Sequence, residues 1–137
     1  MRKWVFCGVF LALFLSLTSN IFALEWVHKE FPIYMKVDFG PAGLSASNPA
    51  GKPVHEEKIF VEKGTTPKEA VSQIFPILSG KTCCSFREIM EIDGVRVDPA
   101  KNRWWICKVN GSKKISPSKK KLKSGDRVEW DYVEESQ

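Results

Sequence analysis

The sequence predicts an α+β domain, one helix packed on a mixed sheet of four or five strands. Three observations carry that reading. Arg127–Val133 alternates cleanly, with Val128, Trp130 and Tyr132 on one side and Arg127, Glu129 and Asp131 on the other. Ile33–Phe39 does the same, with Ile33, Met35, Val37 and Phe39 opposite Tyr34, Lys36 and Asp38. A period of two is that of a strand with one buried face. Between these stretches lies one well-marked helix start, Thr66-Pro67-Lys68-Glu69. Thr66 can cap, Pro67 suits the first helical position, and Glu69 can reach back to the cap.

The elements follow in chain order. Strand Ile33–Phe39 leads into Gly40–Glu56, rich in Pro, Gly and small residues and without a period, which reads as a long loop. Lys58–Glu62 is a second strand. The helix from Pro67 carries Ala70, Val71, Ile74, Ile77 and Leu78 at helical spacing, and Pro76 should kink or end it near Phe75. Phe86–Ile92 is a third strand. Its face is either Phe86, Glu88, Met90 and Ile92 or the register through Arg87, Ile89 and Glu91. Asp93-Gly94 is a hairpin turn into Val95–Val97, and Asp98–Asn102 is a loop. Trp104–Val109, the tight turn Asn110-Gly111 and the strand after Gly125-Asp126 complete the sheet.

The chain has 137 residues, room for one domain, and its 43% apolar and 27% charged content is that of a globular protein. Residues 1–23 stand apart. Arg2 and Lys3 precede the apolar Trp4–Leu17, then polar Thr18-Ser19-Asn20 and a cleavage-suited Ala23. That is a secretory signal peptide, and its apolar run is shorter than the ~20 residues that span a bilayer. The mature module is then 24–137, secreted or periplasmic, and a membrane contact would come only through an uncleaved leader. The formal charge of +5 includes Arg2 and Lys3, too mild an excess to point to nucleic acid.

Trp105, Val109-Asn110-Gly111, Gly125-Asp126, Val128, Trp130 and Tyr132, with Ile92-Asp93-Gly94 upstream, form a pattern that resembles the transcobalamin-like C-terminal domain. That family is a small secreted β-grasp-type module of bacterial surface proteins and, more distantly, of animal cobalamin carriers. The resemblance spans Ile33 to Glu134 and selects a β-grasp topology among those the pattern allows. It implies ligand contact by the strand around Trp105, so Trp104, Trp105, Ile106 and Asn110 are the candidate ligand residues, with cobalamin the candidate ligand. The carriers add a large helical domain, so a lone module would hold a corrinoid by itself or as half of a pair.

The remaining chemistry is recognition rather than catalysis. No nucleophile elbow, phosphate loop or His-Glu-x-x-His is present, and His28 and His55 fall in the lead and in the long loop. An enzyme is not expected. Trp104 and Trp105 must face opposite sides of their strand. Trp105 goes inward with Cys107, Val109 and Trp130, leaving Trp104, Ile106 and the Lys108 stem as an outer apolar patch. Beyond the leader three cysteines remain, Cys83, Cys84 and Cys107. One of the adjacent pair could bridge to Cys107, or all could stay reduced. A Cys83–Cys84 bridge, a redox role for that pair and a three-thiolate site stay open, although the spacing is not that of a zinc site. Lys113, Lys114, Lys119, Lys120 and Lys121 form a basic run. It is either a solvated loop or the contact for an anionic polymer, an envelope protein or a lipid head group.

Overall fold

The computed structural model describes residues 29–40, 54–80 and 87–135. The leader, most of the long connection, Phe86, Cys83 and Cys84 lie outside the described residues. Among those described, no helix is long and apolar enough to cross a membrane.

Two strands lie side by side at the centre, β1 (Glu30–Asp38) and β7 (Arg127–Glu134). They run parallel, with Met35 beside Val128 and Val37 beside Trp130. An antiparallel strand flanks each: β2 (Val54–Glu62) beside β1, and β6 (Arg103–Val109) beside β7. The sheet order is therefore β2-β1-β7-β6. Two of these strands are longer than the sequence predicts. β1 extends back through Pro32, because the proline's nitrogen faces the side where β7 has not yet begun; its carbonyl accepts from the Gly125 N–H at 2.8 Å. β2 gains Val54–Glu57, so part of the expected loop is strand. His55, Glu56 and Glu57 hide it because an edge strand need not bury a whole face.

The helix α1 (Pro67–Ser72) begins where its cap predicts. Thr66 Oγ1 accepts from the Glu69 N–H at 3.3 Å, and the Glu69 carboxylate accepts from the Thr66 N–H at 2.7 Å and its hydroxyl at 2.8 Å. These bonds hold the Glu69 carboxyl below its ordinary value of 4.5, the backbone bond contributing most. A group with a lowered folded pKa adds stability that is present above the unfolded value and is lost as pH falls through the folded one. We expect Thr66→Ala to cost about 1–2 kcal/mol at neutral pH. The loss should shrink below pH 4.5 as Glu69 protonates, and urea titrations at two pH values check both.

The helix is shorter than its apolar stripe suggests. It stops at Ser72, and Ile77 and Leu78 belong instead to a short strand, β3 (Ile77–Ser79). This strand pairs with β4 (Ile89–Ile92), which pairs with β5 (Val95–Arg96), forming a second, three-stranded sheet. Pro76 cannot continue a helix, and its carbonyl instead accepts from the Asp93 N–H at 2.8 Å. Asp93 and Gly94 have φ of 49° and 80°, the turn expected for this hairpin. In β4 it is Ile89 and Ile92 that are buried, so neither simple register holds; the pairing slips between Leu78 and Ser79.

The core lies between the inner face of the four-stranded sheet and α1 with the small sheet. Ile33, Val37, Trp130 and Val128 supply one side, Ala70, Val71, Ile89 and Ile92 the other. Phe39 joins the layers, meeting Phe75 and Trp105 edge-on with ring centroids 5.6 Å apart in each pair. Trp105, Cys107, Val109 and Trp130 share the buried face, as the alternation predicts.

Candidate functional site on the outer face of the sheet

The face of the four-stranded sheet turned away from α1 carries mostly charged side chains. Its apolar groups gather at two corners, one formed by Tyr34 and Phe60 on β1 and β2. The other is on β6 and β7, where Trp104 pairs with Val133 and Ile106 with Asp131. A groove of about 420 Å³ opens there, with Ile106 and Val133 in its lining and Lys108, Lys113, Asn102 and Glu135 around them.

The site is built by parts distant in sequence. Asn102 takes a left-handed conformation, φ 52°, and its side-chain oxygen accepts from the Trp104 indole N–H at 2.9 Å. Its amide N–H donates to the Glu135 carbonyl, and the Glu135 N–H donates back to the Asn102 carbonyl at 3.0 Å. The tryptophan is thus fixed against the end of β7. Arg87 lies over the ring, its guanidinium carbon 4.3 Å from the centroid, and is itself paired with the Glu135 carboxylate. Lys108 bonds to Asp131 across the strands, which holds its ammonium pKa above the ordinary value. An oriented aromatic ring, an apolar floor and charges of both signs suit recognition of an amphipathic ligand.

The other sequence candidates fall elsewhere. Trp105 is 1% exposed and donates its indole N–H to the Val95 carbonyl at 2.8 Å. It presents no surface to a ligand in this structure. Asn110 closes the turn between β6 and β7: its amide donates to Asp126 and its side-chain oxygen accepts from the Arg127 N–H, each at 2.9 Å. Cys107 is a free, buried thiol on the inner face of β6, and burial pushes its pKa far up. Its candidate bridge partners, Cys83 and Cys84, lie outside the described residues. Among the described residues no three His, Cys, Asp or Glu side chains gather into a set able to hold a metal ion.

The lysine run is an ordered strap. Pro117 and Leu122 are buried, the Pro117 carbonyl accepts from the Lys68 N–H, and the Leu122 N–H donates to the Thr65 carbonyl. Ser116 and Ser118 both donate to Glu88. The lysines are consequently divided. Lys113 lines the Ile106–Val133 groove, whereas Lys121 borders a polar hollow with Glu62 and Glu69. Lys114 and Lys119 are exposed, and Lys120 is half-buried.

Residues 85–134 match the domain family DUF4430, a domain of unknown function. The match takes in β4 through β7 and so every residue quoted for the resemblance. No curated protein matches the chain. A solved protein of Ruminococcus gnavus, described as a candidate metal-binding protein, is 16% identical with a TM-score of 0.49; the match covers 77% of this chain and 99% of that one. Haptocorrin in complex with Cbi is 11% identical, also with a TM-score of 0.49, over 77% of this chain and 26% of haptocorrin. This chain therefore spans about a quarter of haptocorrin's length. At these scores neither likeness assigns a ligand.

Proposed function

We propose that this chain is an exported, non-enzymatic module of β-grasp type that binds a small ligand or an envelope partner at the β6–β7 corner, with a corrinoid the sharpest candidate ligand. The reading is carried by Trp104, an aromatic ring held by Asn102 on the same strand pair as a mainly polar groove that has Ile106 and Val133 in its lining. The sheet order β2-β1-β7-β6, with a parallel central pair and one α-helix among the described residues, supports the β-grasp assignment. The groove is shallow enough that a corrinoid would lie along it with much of its surface uncovered, so a second surface, from another copy or a partner, would complete the site.

The test is a titration of residues 24–137, which contain every described element, with a corrinoid, followed by fluorescence and by retention on a size filter. Saturable binding at micromolar concentration, weakened about tenfold or more by Trp104→Ala, is the expected outcome. Binding that Trp104→Ala leaves unchanged removes the site. No binding removes the corrinoid and leaves envelope partners. A second reading rests on Lys114 and Lys119, exposed and without an ion pair among the described residues. On that reading the strap grips an anionic polymer or an acidic protein, and binding would fall steeply with salt, as exposed charges are screened.

A further inference from the structure

We infer that two copies of this chain associate through the free edge of β2, antiparallel, about a two-fold axis passing beside Glu57. β2 is an edge of the sheet and pairs only with β1 among the described residues. The direction of its free groups follows from β1. The Tyr34 N–H donates to the Asp126 carbonyl and the Pro32 carbonyl accepts from Gly125, so the even-numbered residues of β1 address β7. The odd-numbered ones address β2, where Ile33 faces Ile59 and Met35 faces Glu57. The peptide groups of Val54, Glu56, Lys58 and Phe60 therefore point away from the sheet. A strand edge with a row of unpaired peptide groups is a template for another strand.

Charge selects the copy and the register. Pairing that keeps the buried faces together must be centred on a residue, because a slip of one turns every side chain over. Centred on Glu56 or on Lys58, like charges meet at the axis. Centred on Ile59, Glu56 meets the second copy's Glu62. Centred on Glu57, Glu56 meets the second copy's Lys58 on both sides of the axis, and Phe60 meets Val54. Centring on Phe60 also pairs Lys58 with Glu62, but only residues 58–62 overlap. The Glu57 register overlaps residues 54–60 and covers Phe60, which is 58% exposed. Its one like pair is Glu57 with Glu57; each carboxylate lies 3.0 Å from His55 Nε2 of its own chain, a close approach without hydrogen-bond alignment. Four charged residues in β2 thus discourage pairing with unrelated edges and favour this one.

Sedimentation equilibrium on residues 24–137 tests the inference. The expected result is a concentration-dependent dimer. Lys58→Glu, which sets Glu56 against glutamate twice, should raise the dissociation constant about tenfold or more. Adding Glu56→Lys to that variant restores the opposite pairing and should return association close to wild type. Circular dichroism of the three proteins confirms that each is folded. A wild-type chain that stays monomeric to about 100 μM overturns the inference, as does a dimer indifferent to Lys58→Glu. Rescue by Glu62→Lys in place of Glu56→Lys overturns the register. Corrinoid binding is read separately at the opposite edge of the sheet, so loss of the dimer and loss of the proposed ligand remain distinguishable.

Discussion

Trp105→Ala is expected to cost about 3–5 kcal/mol, the range for removing a large aromatic side chain from a packed interior. That is a large share of the ~5–15 kcal/mol that stabilises a domain. Two effects add. The indole is 1% exposed and packs on Phe39 and Tyr132, with centroids 5.6 and 5.2 Å away, so its removal leaves a cavity between the sheet and the small sheet. The Val95 carbonyl also loses its donor, which bridges the two sheets. Trp130 offers a control. It is equally buried, but its indole nitrogen has no hydrogen-bond partner among the described residues. Trp130→Phe should therefore be milder than Trp105→Phe, since it removes a buried donor that gains nothing. Urea unfolding with an unchanged slope measures both. A Trp105→Ala loss below about 1 kcal/mol would contradict its place in the core.

Trp105 also shows how far the sequence is legible. Alternation along Trp104–Val109 is enough to put Trp105 and Ile106 on opposite faces, but it does not show that Ile106, expected in an exposed patch, is itself 7% exposed. The hairpin turn at Asp93-Gly94 and the Thr66 cap are equally local, since each is set by residues within a few positions. What fails is whatever depends on a distant partner. The stripe through Ile77 and Leu78 has helical spacing, yet these residues serve β3 because Pro76 and the arrival of β4 decide the matter. Val54–Glu57 is charged, and only β1 beside it makes it a strand. At the site, Trp104 is legible as an outward aromatic residue. Arg87 above it and Glu135 beside it are not, because they come from the other ends of the domain. The lysine run is legible as charge. Its division between two surfaces is not, because it depends on Pro117 and Leu122 anchoring the strap against α1.

The two edges of the sheet then have separate roles on the proposed readings. The β6 edge carries Trp104 and the groove, and the β2 edge carries the register of opposite charges. β1 and β7 lie between them. A dimer through β2 would leave both grooves open, at the far ends of one continuous sheet, and would present two ligand sites to one extended partner. Two linked sites gain from effective concentration, so a bivalent partner would bind more tightly than either site alone.

Gly40→Ala should be the most damaging substitution of a glycine among those described. The residue follows β1, has φ of 56°, and its N–H donates to Asp38 Oδ1 at 2.9 Å. A Cβ built there would stand 2.4 Å from the Tyr132 carbonyl oxygen. That oxygen belongs to the backbone of β7 and cannot rotate away. Either the chain leaving β1 or the central strand must move, and the left-handed conformation adds its own penalty for any residue with a Cβ. Together these are worth about 2–4 kcal/mol. Gly64 separates the two contributions. Its φ is 94°, yet an added Cβ there meets nothing within 4 Å, so Gly64→Ala should pay for conformation alone, about 1–2 kcal/mol. If thermal unfolding of the two variants shows equal losses, the close approach of Gly40 to β7 contributes nothing. If Gly40→Ala loses clearly more, the contact between the exit of β1 and Tyr132 is a fixed point of the sheet.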